Sequence, residues 1–169
     1  MKMLFSMPRV IKIYLAGYMS GSCLDECLAW RKAIIKHYEN WKGAGLPYPV
    51  EFLDPFNGPE LNTISKDGLK SAIPGKAIVY GDFMSVQEAN LLIVNWNTFG
   101  QERPMIGTPS EMAWAWMMKK PVITIMPDDK LKEHPFLGEF STVFVKSVEE
   151  LLEKKFINYY YKRVNSANY

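Results

Sequence analysis

Apolar runs of strand length alternate with segments of helical period along this chain, and few folds accept that pattern. Leu91-Leu92-Ile93-Val94 has no polar member, so it reads as a strand buried on both faces rather than one with a solvated side. Val10 to Ala16, Val50 to Leu53, Pro121 to Met126 and Thr142 to Val145 are the other runs of strand length. Between them lie helical patterns. One opens at Ser22, whose hydroxyl forms a capping pair with Asp25, and continues through Trp30, Ile34 and Tyr38. A second covers Tyr80 to Ala89, and a third runs from Thr108 to about Lys119. The last is capped by Ser147 and presents Val148, Leu151, Leu152, Phe156 and Tyr159 on one face. Phe56 to Lys76, rich in Gly, Pro, Asn and Ser, reads as a long loop with one helical turn.

Strands that alternate with helices are joined by right-handed crossovers, which makes the sheet parallel and covers it on both sides. The expected fold is therefore α/β: a single-domain, flavodoxin-like, doubly wound sheet of five parallel strands in the order 2-1-3-4-5, with helices on both faces. At 169 residues and 48% hydrophobic content the chain has material for one packed core, so residues 1–169 are taken as one domain. The order reverses between the first and third strands, and ligands of such sheets bind beyond the carboxyl ends of the strands at that point. The loops after Ala16 and Val94 should face one another there.

Charge and composition exclude several function classes. Twenty basic and 18 acidic residues, well mixed, leave a net charge of +2, too little for a broad field on a nucleic-acid backbone, so no polymer partner is expected. No apolar stretch approaches the roughly 20 residues that span a bilayer. Met1 to Arg9 is too short, and interrupted by Pro8, for a secretory signal, which makes a cytoplasmic protein the expectation. Cys23 and Cys27 stand at i and i+4 on a helix and read as buried thiols. His37 and His134 have no partner at ligand spacing, so neither a metal nor another cofactor is expected. The basic and aromatic stretch Lys154 to Arg163 reads as a helix with one packed aromatic face and solvated lysines, or as a subunit interface.

Chemistry is concentrated in Met105-Ile106-Gly107-Thr108-Pro109-Ser110-Glu111-Met112-Ala113. It puts a carboxylate in the first turn of the helix that follows the third strand and its loop, at the rim of the expected crevice. Glu111 has two readings. Thr108-Pro109-Ser110-Glu111 also spells a capping box, with Thr108 as N-cap, Pro109 at the first helical position and Glu111 reaching back to the cap amide. Asp82, on the helix before the third strand, brings a second carboxylate toward the same region. Its alternative is a first-turn acid beside the helix dipole.

In order and spacing, three segments resemble the nucleoside 2-deoxyribosyltransferase family, which includes relatives that hydrolyse deoxynucleoside monophosphates. They are Ile13-Tyr14-Leu15-Ala16-Gly17; Tyr80-Gly81-Asp82-Phe83-Met84 with Ala89 to Val94; and Gly107 to Ala113 with Lys120-Pro121-Val122. The resemblance covers roughly residues 11 to 126. It implies that Glu111 is the nucleophile attacking the anomeric carbon of a deoxynucleoside, that Asp82 manages the proton of the departing base, and that Tyr14 steadies the nucleophile. The logic suits the bond: an N-glycosidic link breaks through an oxocarbenium-like state, which a nearby anion stabilises and then traps. The implied partners are a deoxynucleoside or deoxynucleotide and a free nucleobase, acted on by a homo-oligomer in which Tyr169 completes a neighbour's site.

Gly17, Tyr18, Asn95, Asn97, Met105, Gly107 and Thr108 flank the crevice and are the expected substrate-binding residues. Tyr18, Phe56 and Trp96 offer stacking surfaces for a base. Two departures from the family's pattern bear on specificity. Met105 stands where transferases often carry an aspartate that contacts the base. Gly17-Tyr18-Met19-Ser20-Gly21-Ser22 lacks the arginine of the monophosphate hydrolases' loop, and with it a bidentate phosphate partner. Transfer to a second base is therefore expected ahead of hydrolysis.

Overall fold

A computed structural model describes residues 10–19, 23–57, 63–65, 68–70, 73–102, 104–128 and 131–160. The main sheet has five strands: β1 (Ile11–Gly17), β2 (Val50–Leu53), β5 (Leu91–Asn95), β6 (Val122–Ile125) and β7 (Val143–Val145). Their order is β2-β1-β5-β6-β7, and every neighbouring pair is parallel. In sheet-strand numbering this is the expected 2-1-3-4-5. Strands β3 (Thr63–Ser65) and β4 (Gly68–Lys70) form a separate antiparallel pair.

Strand period explains how the two faces divide. Ile11, Ile13 and Leu15 of β1, with Leu91, Ile93, Ile123 and Ile125, pack against Trp30, Ile34 and Tyr38 of α1 (Leu24–Glu39) and Leu151 of α5 (Val148–Lys154). Tyr14 and Ala16, with Leu92, Val94 and Val122, point the other way. There they meet Val86 of α2 (Gly75–Glu88), Met112 and Ala115 of α3 (Gly107–Met117) and Leu137 of α4 (Pro135–Phe140). Because β1 and β5 are covered on both sides, neither alternates in polarity; β5 reads as a continuous apolar run up to Asn95, and β1 as one broken only by Lys12 near its start. The same parity sends the Tyr14 ring toward α3.

Four local expectations are corrected. The segment Phe56 to Lys76 contains the β3–β4 pair, and its turn is a 3-10 helix at Pro55–Asn57. Helix α2 starts at Gly75, not Tyr80; the Pro74 carbonyl accepts from the Ala77 and Ile78 amides and no side chain caps the start, so the usual signal was missing. Helix α3 starts at Gly107, with Ile106 in helical backbone at the cap position and no side-chain cap. Thr108 therefore lies inside the helix, and the capping box with Glu111 does not form. Finally, α5 stops at Lys154 because Lys155 adopts the left-handed conformation at φ 52°. The helical turn at 156–160 that follows is rotated, which buries Ile157 and Asn158 and leaves Tyr159 exposed.

Ser147 does cap α5, its Oγ accepting from the Glu150 amide at 3.2 Å. Ser22 and Tyr169 lie outside the described residues, and so do the readings that rest on them. Among the described residues no helix is long and apolar enough to cross a membrane.

Candidate active site

Tyr14, Asp82 and Glu111 converge from three elements at the carboxyl end of β1. Tyr14 Oη donates to Glu111 Oε1 at 2.7 Å, a bond that spans 97 residues of sequence. Glu111 is on α3 and only 7% exposed, so its carboxylate has been drawn into the interior rather than back to its own helix start. Asp82 is on α2 and half-buried, and the Tyr14 hydroxyl interacts with it as well. One phenol thus faces two carboxylates.

Burial dominates the electrostatics. It pushes the Glu111 carboxyl up to about 7 from an ordinary value of 4.5; the Tyr14 hydrogen bond opposes the rise, the Asp82 charge adds to it, and the Arg31 charge opposes it. Asp82 is also raised by burial, against the pull of the Tyr14 hydroxyl. The Tyr14 phenol is driven far above its usual range, by burial first and by the charge of Glu111 next, so it remains a proton donor at every working pH. Two carboxylates in contact with one hydroxyl hold their protons as a pair. The singly protonated pair has an ionised and a neutral member, the combination that nucleophilic attack and leaving-group protonation require together.

A cavity of about 270 Å³ opens on the pair. Its walls include Gly17, Tyr18, Met105, Gly107 and Thr108 beside Asp82 and Glu111, so seven of the expected site residues share it. Tyr14 is buried beneath, in contact through Glu111. Asn95 and Asn97 are not on these walls. Asn95 Oδ1 accepts from the Asn97 amide at 3.1 Å and Asn97 Oδ1 from the Phe99 amide at 2.8 Å, so both serve the backbone of the loop after β5. Of the three aromatic residues expected to stack, Tyr18 lines the cavity, while Phe56 sits over Arg31 and Trp96 packs against the α2–α3 core.

Cys23 and Cys27 are buried, as expected, with their Sγ atoms 3.4 Å apart beside Tyr18.

Sequence reasoning missed Met19, Pro55, Ile78, Val79, Pro104 and Ile106, which complete the walls. Pro55 had a usable signal, since it follows a strand that neighbours β1 and exits toward the same crevice. Reading α2 too short concealed Ile78 and Val79. Arg31 was missed as well. It is fully buried and occupies the apolar stripe Cys27, Trp30, Ile34, Tyr38 of α1, where a cation at core spacing was the signal.

No family model matches the sequence, and no curated protein matches it. Among solved structures, the chain is similar to the CMP N-glycosidase BcmB of Clostridium botulinum, at 18% identity over 86% of this chain and 98% of that one, with a TM-score of 0.53. It is also similar to a 2-desoxiribosyltransferase from Leishmania mexicana, at 17% identity over 70% of this chain and 65% of that one, with a TM-score of 0.46. A third is a 3-dehydroquinate dehydratase-like protein from Bifidobacterium longum, at 10% identity over 89% and 95%, with a TM-score of 0.45. The first of these likenesses agrees with the five-stranded parallel sheet and its flanking helices, and it is a likeness of fold.

Proposed function

We propose that this chain belongs to the nucleoside 2-deoxyribosyltransferase family and cleaves the N-glycosidic bond of 2'-deoxynucleosides, passing the deoxyribosyl group to a second nucleobase. The observation that carries the reading is the buried Glu111 carboxylate, held by Tyr14 at the floor of a cavity that Asp82 also lines. A helix cap has no need of such burial. Glu111 attacks the anomeric carbon as the bond to the base breaks, and Asp82 gives a proton to the departing base. The bond from Glu111 to the sugar holds the deoxyribosyl group until an incoming base, its own proton taken by Asp82, displaces the carboxylate. No cofactor enters these steps. The fold shared with the CMP N-glycosidase agrees with this assignment.

Hydrolysis of a deoxynucleoside monophosphate is the second reading, in which water takes the place of the second base. The cavity walls favour transfer: Tyr18, Met105, Ile106, Ile78 and Val79 are apolar surface for a base, and none of the lining residues among those described is basic. We also read the chain as a homo-oligomer. In support, α2 exposes Ala77, Val79, Tyr80 and Met84 and places no charged residue between Lys76 and Glu88 except Asp82, which faces the cavity.

A panel of deoxynucleosides, ribonucleosides and their monophosphates, incubated with and without a second base and resolved by chromatography, tests the proposal. New nucleoside is the expected product, formed faster from deoxyribosides because a 2'-hydroxyl withdraws electrons from the oxocarbenium-like state. Free base and sugar alone assign hydrolysis. Equal turnover of matched ribosides removes the deoxyribosyl assignment.

A further inference from the structure

Arg31 ties together three segments that the reaction scheme leaves unexplained. Its Nε lies 3.3 Å from Asp54 Oδ1, with both side chains buried. Its Nη1 donates to the Cys27 carbonyl at 2.5 Å and its Nη2 to the Gly17 carbonyl at 3.4 Å. The guanidinium carbon lies over the Trp30 ring, 4.4 Å from its centroid, and over the Phe56 ring, 4.8 Å from its centroid. Asp54 Oδ1 also accepts from the Phe56 amide at 3.0 Å, which fixes the turn that carries Pro55. Gly17 and Pro55 are both cavity walls.

As a source of stability this pair is a poor choice. Desolvation is the largest influence on both partners, lowering Arg31 and raising Asp54 ahead of their mutual attraction. Well-packed apolar side chains of similar volume commonly replace such a pair without loss. Hydrocarbon, however, cannot hold the carbonyl of Gly17 or the turn after β2 in place.

We propose that Arg31 and Asp54 are positioning residues, which set the wall formed by Gly17, Tyr18 and Pro55 so that a nucleoside is seated with its anomeric carbon toward Glu111. The kinetic consequence rests on the function proposed above; the clamp rests on geometry alone.

The test uses the full chain, the double variant Arg31→Met with Asp54→Leu, and the single variant Arg31→Lys. Thermal unfolding, hydrogen exchange of residues 16–19, and KM and kcat on the best deoxynucleoside are measured. The double variant is expected to unfold at or above the temperature of the parent, to exchange residues 16–19 faster, and to raise KM roughly tenfold, the equivalent of one lost charged hydrogen bond, with kcat changing little. Arg31→Lys keeps the charge but not the planar fork, so it should also raise KM and loosen the same peptide. A purely structural role predicts instead that the apolar pair restores KM along with stability. Unchanged KM and unchanged exchange in the double variant overturn the proposal, and if that variant does not fold, the same result in Arg31→Lys does. Should the parent turn over no nucleoside or nucleotide, the function fails separately, and the clamp stands or falls on exchange at residues 16–19.

Discussion

At the scale of single residues, Glu111 combines a cost to the fold with the chemical role proposed for it. Its folded-state value near 7 lies above the unfolded 4.5, so the native protein binds more protons between those limits. Stability contributed by this group is therefore full below about pH 4.5 and lost as pH rises through 7, a change of roughly 3 kcal/mol by the usual conversion. Glu111→Gln should abolish turnover, keep the fold, and unfold at a higher temperature than the parent at pH 8, which activity assays with thermal melts at two pH values will show. Near-normal turnover would leave the carboxylate a packing role. For Asp82→Asn, which donates a hydrogen bond but transfers no proton, release of ordinary bases should slow by about 10²–10⁴. A deoxyriboside with an activated leaving group should recover most of that rate, whereas Glu111→Ala should not. The parent's kcat/KM should be bell-shaped in pH, because attack needs an ionised Glu111 on the acid side and leaving-group protonation needs a neutral Asp82 on the alkaline side, and Asp82→Asn should lose the alkaline limb. Equal slowing on both substrates assigns Asp82 to positioning.

At the scale of elements, two backbone positions decide how the segments meet. A Cβ at Gly17 would come to 3.0 Å from the Asn95 carbonyl oxygen and 3.1 Å from Trp30 Cζ2, so a side chain there crowds the end of β1 against the backbone of β5 and the Trp30 ring of α1. Gly17→Ala should cost about 1–3 kcal/mol in denaturant unfolding and raise KM, since the strain displaces a cavity wall. Lys155 pays for its left-handed backbone, where a side chain is disfavoured by roughly 1 kcal/mol. Lys155→Gly should therefore stabilise the protein by a fraction of that amount in the same experiment; a loss would mean that its side chain holds the turn between α5 and 156–160.

At the scale of the molecule, the exposed α2 residues Tyr80 and Met84 lie on the same helix as Asp82, so an interface there would bear directly on the site. If the oligomer forms through α2, Tyr80→Glu with Met84→Glu should convert it to a monomer by analytical ultracentrifugation without lowering helix content. A parent chain that sediments as a monomer at every concentration removes the oligomer reading.

Much of this was legible in the chain. The uninterrupted run Leu91 to Val94 identified a strand covered on both faces, and from it followed the parallel sheet, its order and the crevice beyond β1 and β5. The candidates in β1, at the start of α3 and in α2, where Asp82 lies mid-helix rather than in the first turn, were recognisable as short motifs in a fixed order. What local pattern left open was the partner of each polar group, because hydrogen bonds across 97 residues have no sequence period. Thr108 to Glu111 spelled a capping box as well as it spelled a nucleophile, and the Tyr14 hydroxyl, turned toward α3 by strand parity, settled where the carboxylate lies. Asn95 and Asn97, equally plausible as ligands by position, were claimed by nearby amides. Periodicity locates apolar faces because burial repeats along an element; the pairing of buried polar atoms repeats along nothing, and only packing in three dimensions assigns it.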